Sequence, residues 1–160
     1  MKEITKYLIN NYNKVKINSQ NIVAGDVFLA LAGKNTHGNE YILDALNNGA
    51  KYIVTDRLLK NDLIRKNILI VDNTFSFLLK IATYKRSLFN GKIIGITGSI
   101  GKTSVKENLK YFLSSFSKVS ASIKSYNNLL GILISLININ LSSDFAIFEI
   151  GTNNFSEIKE

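Results

Sequence analysis

The segment IIGITGSIGKTSVKE, residues 93–107, runs from an apolar stretch through a glycine-rich turn to Lys-Thr and then into a helix-forming stretch. Gly98 and Gly101 let the backbone curl so that successive N–H groups point inward at a phosphate. The helix that follows adds its positive dipole end, and Lys102 brings a cation to the β- and γ-phosphate positions. Thr103 then offers a hydroxyl to Mg²⁺. The spacing departs from the strict G-x-x-x-x-G-K-[ST] pattern, because the residue five before Gly101 is Ile96 and the next glycine beyond it is Gly95. The competing reading is a glycine turn that joins a strand to a helix and binds nothing. The order strand, loop, helix and the Gly-Lys-Thr placement favour the phosphate loop.

Outward from this segment, short apolar runs alternate with amphipathic stretches, the pattern of an α/β fold. Toward the C-terminus, KIIGIT at 92–97 reads as a strand, and Val105, Leu109, Phe112, Leu113 and Phe116 form a helical stripe. A short strand at 118–121, a helix at 129–137, the strand FAIFEI at 145–150 and a further helix start follow. Toward the N-terminus, a helix is expected over 2–12 with Ile4, Tyr7 and Leu8 on one face. Strands are expected at 27–31, 51–55 and 68–71. Tyr41, Ile42, Ala45 and Leu46 recur at helical spacing, with Gly49 at a left-handed C-cap, and Phe75, Leu78, Leu79 and Ala82 share a helix face. A break near 87–91 sets expected domains of 1–88 and 89–160. Two or three parallel strands are too few for a finished doubly wound domain, so the second domain is expected to be truncated.

Composition narrows the chemistry. Of 160 residues, 46% are hydrophobic and 20% charged, as in globular protein, and no apolar run reaches the roughly 18 residues of a membrane span. The N-terminus lacks a signal-peptide pattern, so a cytoplasmic location is expected. There is no cysteine, and His37 is the single histidine, which excludes thiolate and His-cluster metal sites and leaves a hard ion held by oxygens. The net charge of +8 comes from basic residues scattered singly or in pairs, such as Lys14 and Lys16, or Lys85 and Arg86. Nucleic acid is therefore not the expected partner.

Two further segments carry candidates. Glu149 ends an apolar strand and precedes Gly151-Thr152-Asn153-Asn154, a position from which a carboxylate can reach Mg²⁺ at the C-terminal edge of a parallel sheet. A solvated strand-end glutamate is the plainer alternative. In SYNNLLG, residues 125–131, the paired asparagines Asn127 and Asn128 can cap a helix or orient a polar substrate, and the sequence leaves both open.

TGSIGKTSVKE, KSYNN-x-x-G and EIGTNNFSEI, in that order, resemble the central ATPase domain of the Mur ligases. NSQNIVAGDVFLALAGKNTHGNEYILDALNNGA resembles the small N-terminal domain with which members of that family bind the uridine diphosphate part of their precursor. The resemblance runs from Ile17 to Glu157. It implies an ATP- and Mg²⁺-dependent amide-bond ligase of peptidoglycan synthesis, a monomer. Such an enzyme phosphorylates the terminal carboxylate of UDP-N-acetylmuramoyl-tripeptide and passes the acyl group to D-alanyl-D-alanine. A different Mur-type or folylpolyglutamate-type ligase, or a non-catalytic nucleotide-binding module, are the alternatives. By the same resemblance Gly98, Ser99, Ile100, Gly101, Lys102, Thr103 and Ser104 wrap the ATP phosphates, with Lys102 on the β/γ region. Thr103 and Glu149 hold Mg²⁺, Lys102 and Glu149 being the catalytic pair. Asn128 lies near ATP, and Asn127, Ser122 and Ser19 near the substrates.

The chain departs from the family at three places: Gln20 replaces an arginine, His37 an acidic residue before Gly38, and a proline after the paired asparagines is missing. His37 is read as a loop residue near the nucleotide rather than a base. The 160-residue piece is expected not to ligate unaided, because the family's adenine pocket and acceptor domain have no counterpart in it.

Overall fold

A computed structural model describes residues 2–57, 67–123 and 127–151. The expected helix start beyond residue 151 and the motif residues 124–126 and 152–157 lie outside them. The chain packs as two units, Met1–Ile81 and Ala82–Glu160.

The first unit holds a parallel sheet whose spatial order follows the sequence: β1 (Val15–Lys16), β2 (Val27–Ala30), β3 (Tyr52–Thr55) and β4 (Ile68–Ile70). The two-residue β1 carries no periodic signal of its own. β2 and β3 are buried at every position, as strands covered on both faces must be. Phe28, Ala30 and Ile53 pack with Ile22, with Ile42 and Ala45 of α2 (Ile42–Asn47), and with Ala50. Ile4 and Leu8 of α1 (Lys2–Asn10) are buried as their spacing requires. α2 ends as expected: Gly49 takes φ +94°, its N–H donates to Leu46 O (3.0 Å), and the Ala50 N–H donates to Ala45 O (2.9 Å). This double bond satisfies the last carbonyls of the helix and turns the chain directly into β3.

α3 (Thr74–Leu88) spans the division between the units, and its buried side differs from the expected one. Phe75 and Leu79 are 38% and 44% exposed, whereas Thr74, Leu78, Ile81, Ala82 and Lys85 are buried. The i, i+4, i+7, i+8, i+11 series of these five is a true helical stripe, but two of its members are polar. A search for apolar periodicity therefore selects the wrong neighbours.

In the second unit β7 (Phe145–Glu149) lies between β5 (Lys92–Ile96) and β6 (Val119–Ala121), all parallel. α4 (Lys102–Ser114) connects β5 to β6, and α5 (Leu129–Ile137) connects β6 to β7. Phe89, Ile139, Ala146 and Phe148 form a core cluster. The stripe expected on α4 is corrected: Val105, Phe112 and Phe116 are more than half exposed, and Lys106 and Leu113 are the helix's buried residues.

Lys85 is fully buried, and its Nζ donates to the carbonyl of Ile137, the last residue of α5, at 2.8 Å. A cation there complements the negative end of the helix dipole. Burial nevertheless lowers the Lys85 pKa from 10.5 to about 8. Between those two values the unfolded chain binds the proton and the folded chain does not, so this group's contribution to stability rises with pH. The stability of the wild-type chain minus that of Lys85→Met should increase from pH 8 to pH 10.5, by at most about 1.4 kcal/mol per pH unit. Denaturant titrations of both proteins across that window measure it, and a flat difference would show that Lys85 titrates normally.

Candidate functional site

The C-terminal ends of β5 and β7 are adjacent, with Ile96 in register with Glu149 and the Ile150 N–H donating to Ile96 O at 2.9 Å. That is where parallel α/β sheets place ligands. The loop leaving β5 is exposed from Thr97 to Gly101 and turns through Gly98 (φ +145°) and Gly101 (φ +81°). A Cβ on Gly101 would meet no atom within 4 Å, so its backbone angle, not lack of room, calls for glycine. Ile100, 95% exposed, forms the loop tip, with Ser99 beside it.

Gly101 caps α4 without a side-chain acceptor. The helix ladder starts with the Val105 N–H donating to Gly101 O (2.9 Å), so the N–H groups of Lys102, Thr103 and Ser104 are left out of it. Three free donors, the dipole end and a lysine make an anion cradle. The Lys102 ammonium folds back over the loop and donates to Gly98 O at 2.7 Å, across the space a phosphate would take.

Glu149 is only 5% exposed. Its Oε2 accepts from the Thr103 hydroxyl at 2.8 Å, and its Oε1 stands 3.4 Å from Asn127 Nδ2. The Gly151 N–H donates to Asn127 O at 2.7 Å, and a Cβ on Gly151 would press within 3.0 Å of the Asn127 amide carbon. Gly151 thus lets the amide lie against the carboxylate. Asn128 does the other job of the pair: its Oδ1 accepts from the Gly131 N–H (2.8 Å) and caps α5. Of the two functions the sequence left open, capping falls to Asn128, while Asn127 lies against the Glu149 carboxylate. Ser122 is buried at 4%, with its Oγ accepting from the Glu149 N–H at 3.1 Å.

Among the described residues no three His, Cys, Asp or Glu side chains gather as a metal cage. One carboxylate and one hydroxyl at the mouth of a phosphate cradle suit Mg²⁺, which keeps several waters and takes the rest of its ligands from phosphates. Thr103 and Glu149 would hold it.

Lys106 was not singled out by its sequence. It lies one turn beyond Lys102, is fully buried, and its Nζ donates to Ser122 O at 3.0 Å, 3.9 Å from Glu149 Oε2 and 3.4 Å from Glu107 Oε1. The i, i+4 spacing from Lys102 was the only available signal, and it does not distinguish a buried lysine from a solvated one.

In the first unit Ser19 opens a short 3-10 turn and is buried at 6%, with its carbonyl accepting from Asn48 Nδ2 (3.0 Å). His37 is structurally committed. Its Nδ1 accepts from the Asn39 N–H (3.1 Å), Glu40 reciprocates to the His37 N–H (3.2 Å), and its Nε2 stands 3.0 Å from Asp56 Oδ1. Burial alone would raise the Asp56 pKa, but the Thr74 N–H and His37 outweigh it and hold the carboxyl below its ordinary value. An imidazole with both nitrogens engaged has no free lone pair for base catalysis.

A glycine loop between strand and helix, Lys-Thr at the helix start and a carboxylate ending the neighbouring strand of the sheet are the arrangement of a phosphate-loop α/β domain. Profiles of the Mur ligase family catalytic domain and the Mur ligase middle domain match residues 11–83 and 96–160. The chain belongs to the Mur ligase family. It is 43% identical over 94% of its length to a UDP-N-acetylmuramoyl-tripeptide–D-alanyl-D-alanine ligase of Rickettsia prowazekii, covering 33% of that protein. A UDP-N-acetylmuramoyl-L-alanyl-D-glutamate–2,6-diaminopimelate ligase of Rickettsia typhi is 36% identical over 71% of the chain, which covers 23% of that ligase. The crystal structure of the MurF ligase from Thermotoga maritima in complex with ADP superposes with a TM-score of 0.72 at 30% identity, over 94% of this chain and 34% of that one. The chain therefore spans about a third of the length of the MurF-type relatives it matches. Its two units correspond to their N-terminal domain and the beginning of their central domain. No helix among the described residues is long and apolar enough to cross a membrane.

Proposed function

We propose that this chain supplies the uridine-nucleotide-binding domain and the ATP-phosphate-binding start of a MurF-type ligase. That enzyme, a cytoplasmic monomer, joins D-alanyl-D-alanine to UDP-N-acetylmuramoyl-tripeptide. The observation that carries the reading is the 2.8 Å contact between Thr103 and Glu149 at the mouth of the Gly98–Gly101 loop, which brings both candidate magnesium ligands beside the phosphate cradle. The breadth and identity of the MurF-type alignment, 43% over 94% of the chain, against 36% over 71% and 34% over 81% for two diaminopimelate ligases, favour the dipeptide-adding branch.

In the reaction, an oxygen of the tripeptide's terminal carboxylate attacks the γ-phosphorus of ATP and ADP leaves. The dipeptide amine then attacks the acyl carbon, phosphate leaves and the amine loses its proton. Phosphoryl transfer needs positioning and charge stabilisation more than a protein nucleophile. The N–H groups of residues 102–104 hold the phosphate oxygens, and Lys102 exchanges its bond to Gly98 O for the β/γ region, where negative charge moves. Bound Mg²⁺ supplies electrostatic stabilisation of that charge. Glu149 and Thr103 would orient it, Asn127 steadies the second oxygen of Glu149, and Asn128, next in sequence, serves the nucleotide. Ser122 and Ser19 contact the muramoyl peptide and the uridine nucleotide.

Calorimetry of the purified chain with Mg²⁺–ATP and, separately, a UDP-muramoyl peptide tests the reading. Both ligands should bind, and Ser19→Ala should weaken the UDP ligand by about tenfold, the worth of one hydrogen bond, while leaving Mg²⁺–ATP unchanged. Folded chain that takes up neither ligand would overturn the proposal.

A further inference from the structure

The buried lysine on α4 has no part in the phosphate cradle, yet it sits against Glu149, the carboxylate at the mouth of the loop. We infer that Lys106 is a positioning residue that aims Glu149 at the magnesium position. The inference rests on the reading of the Gly98–Gly101 loop as an ATP site.

Two links join Lys106 to Glu149. The direct one is electrostatic, an ammonium 3.9 Å from Oε2, near enough to attract the carboxylate but too long for a hydrogen bond. The indirect one is a chain of short bonds. Lys106 Nζ holds Ser122 O (3.0 Å), the Ser122 N–H holds Ile147 O (2.8 Å), and the Ser122 Oγ accepts the Glu149 N–H (3.1 Å). Ser122 therefore fastens the end of β7 from both sides of Phe148, and Lys106 fastens Ser122 to α4. Thr103, the other candidate metal ligand, stands three residues earlier on the same helix. One buried ammonium thus ties the helix that carries the hydroxyl to the strand that carries the carboxylate.

A positive charge this close also repels a cation, so the two effects of Lys106 oppose each other. Positioning wins because the ammonium is shared. It is bonded to a carbonyl and flanked by Glu107 Oε1 at 3.4 Å as well as by Glu149, which reduces its net field at the metal position. Removing it would leave the buried Ser122 carbonyl without this donor and Glu149 without its counter-charge.

The test separates the metal-dependent part of nucleotide binding from the rest. ATP affinity is measured by calorimetry with Mg²⁺ and again in EDTA, for the wild-type chain, Lys106→Met and Ser122→Ala, with thermal melting to establish folding. Lys106→Met should bind Mg²⁺–ATP about tenfold more weakly and metal-free ATP as the wild type does. Ser122→Ala, which keeps the lysine and loses only the hydroxyl, should show a smaller loss of the same metal-specific kind, and it decides the matter if Lys106→Met does not fold. The chain has no cysteine, so Lys106→Cys can be aminoethylated at a single site in the unfolded state and refolded, which restores an ammonium at the same reach. This should recover most of the Mg²⁺-dependent affinity. Equal losses with and without Mg²⁺ would make Lys106 a general support of the loop, and unchanged or tighter Mg²⁺–ATP binding would make its charge neutral or harmful. Either result overturns the inference while leaving the ATP site standing. A wild-type chain that binds no Mg²⁺–ATP removes the site and the inference together.

Discussion

Lys102→Ala is expected to weaken Mg²⁺–ATP binding by about a hundredfold while the chain stays folded. A hydrogen bond to a charged group is worth about 1.5–3 kcal/mol, and each 1.4 kcal/mol is a factor of ten in affinity. The Lys102 ammonium is bonded to Gly98 O, an exposed contact, so its loss should change stability by less than about 0.5 kcal/mol. The N–H groups of residues 102–104 remain, so the binding left over measures what the backbone cradle contributes alone. Calorimetry gives the affinity and thermal melting the stability. A loss under about fivefold would mean that the lysine does not reach the phosphates.

A large loss of stability is expected from Gly38→Ala. A Cβ at Gly38 would lie 2.7 Å from the Ala30 C and Cα and 2.8 Å from the Leu31 N, all of them backbone atoms at the end of β2. β2 pairs with β1 on one side and β3 on the other, and the Gly38 N–H is itself bonded to Leu31 O at 2.8 Å, so neither partner can yield. Overpacking against fixed atoms costs about 1–3 kcal/mol, and with the cap at His37 displaced the upper end applies. For a domain of this size that is a fall in melting temperature of roughly 10 °C or more. Gly101→Ala is the comparison. Its Cβ has open space, so only the φ of +81° opposes it, at a cost of about 1–2 kcal/mol. A Gly38→Ala protein that melts no lower than Gly101→Ala would show that β2 can shift after all.

The geometry of the glycine loop was legible because it is local: the glycines, Lys102 and Thr103 are neighbours in sequence and lie together between β5 and α4. The strands other than the two-residue β1 were legible to within a residue or two, since β2, β3 and β7 are largely apolar runs. Faces of helices were not. On α4 the apolar residues Val105, Phe112 and Phe116 made the stronger stripe, but the sheet receives Lys106, whose burial is decided by Ser122 and Glu149, residues 16 and 43 positions away. Which asparagine caps and which faces the carboxylate was equally hidden, because both have the same side chain and only the entry angle of α5 separates them. The departure at His37 had the opposite outcome. An acceptor is what the turn at Gly38 requires, and imidazole Nδ1 provides one where the resemblance led to the expectation of a carboxylate.

The strand order β5-β7-β6 also sets a timetable for the emerging chain. β5 and β6 are made first but, among the described residues, do not pair with each other; each bonds to β7, whose residues leave the ribosome about two dozen positions after β6 ends. Until then the glycine loop and its lysine have no carboxylate opposite them and no sheet beneath. At synthesis rates of roughly 5–20 residues per second, the nascent second unit spends on the order of a second or more as two unpaired strand edges and two helices, and the arrival of Phe145–Glu149 joins the two strands and brings Glu149 to Thr103 in one step.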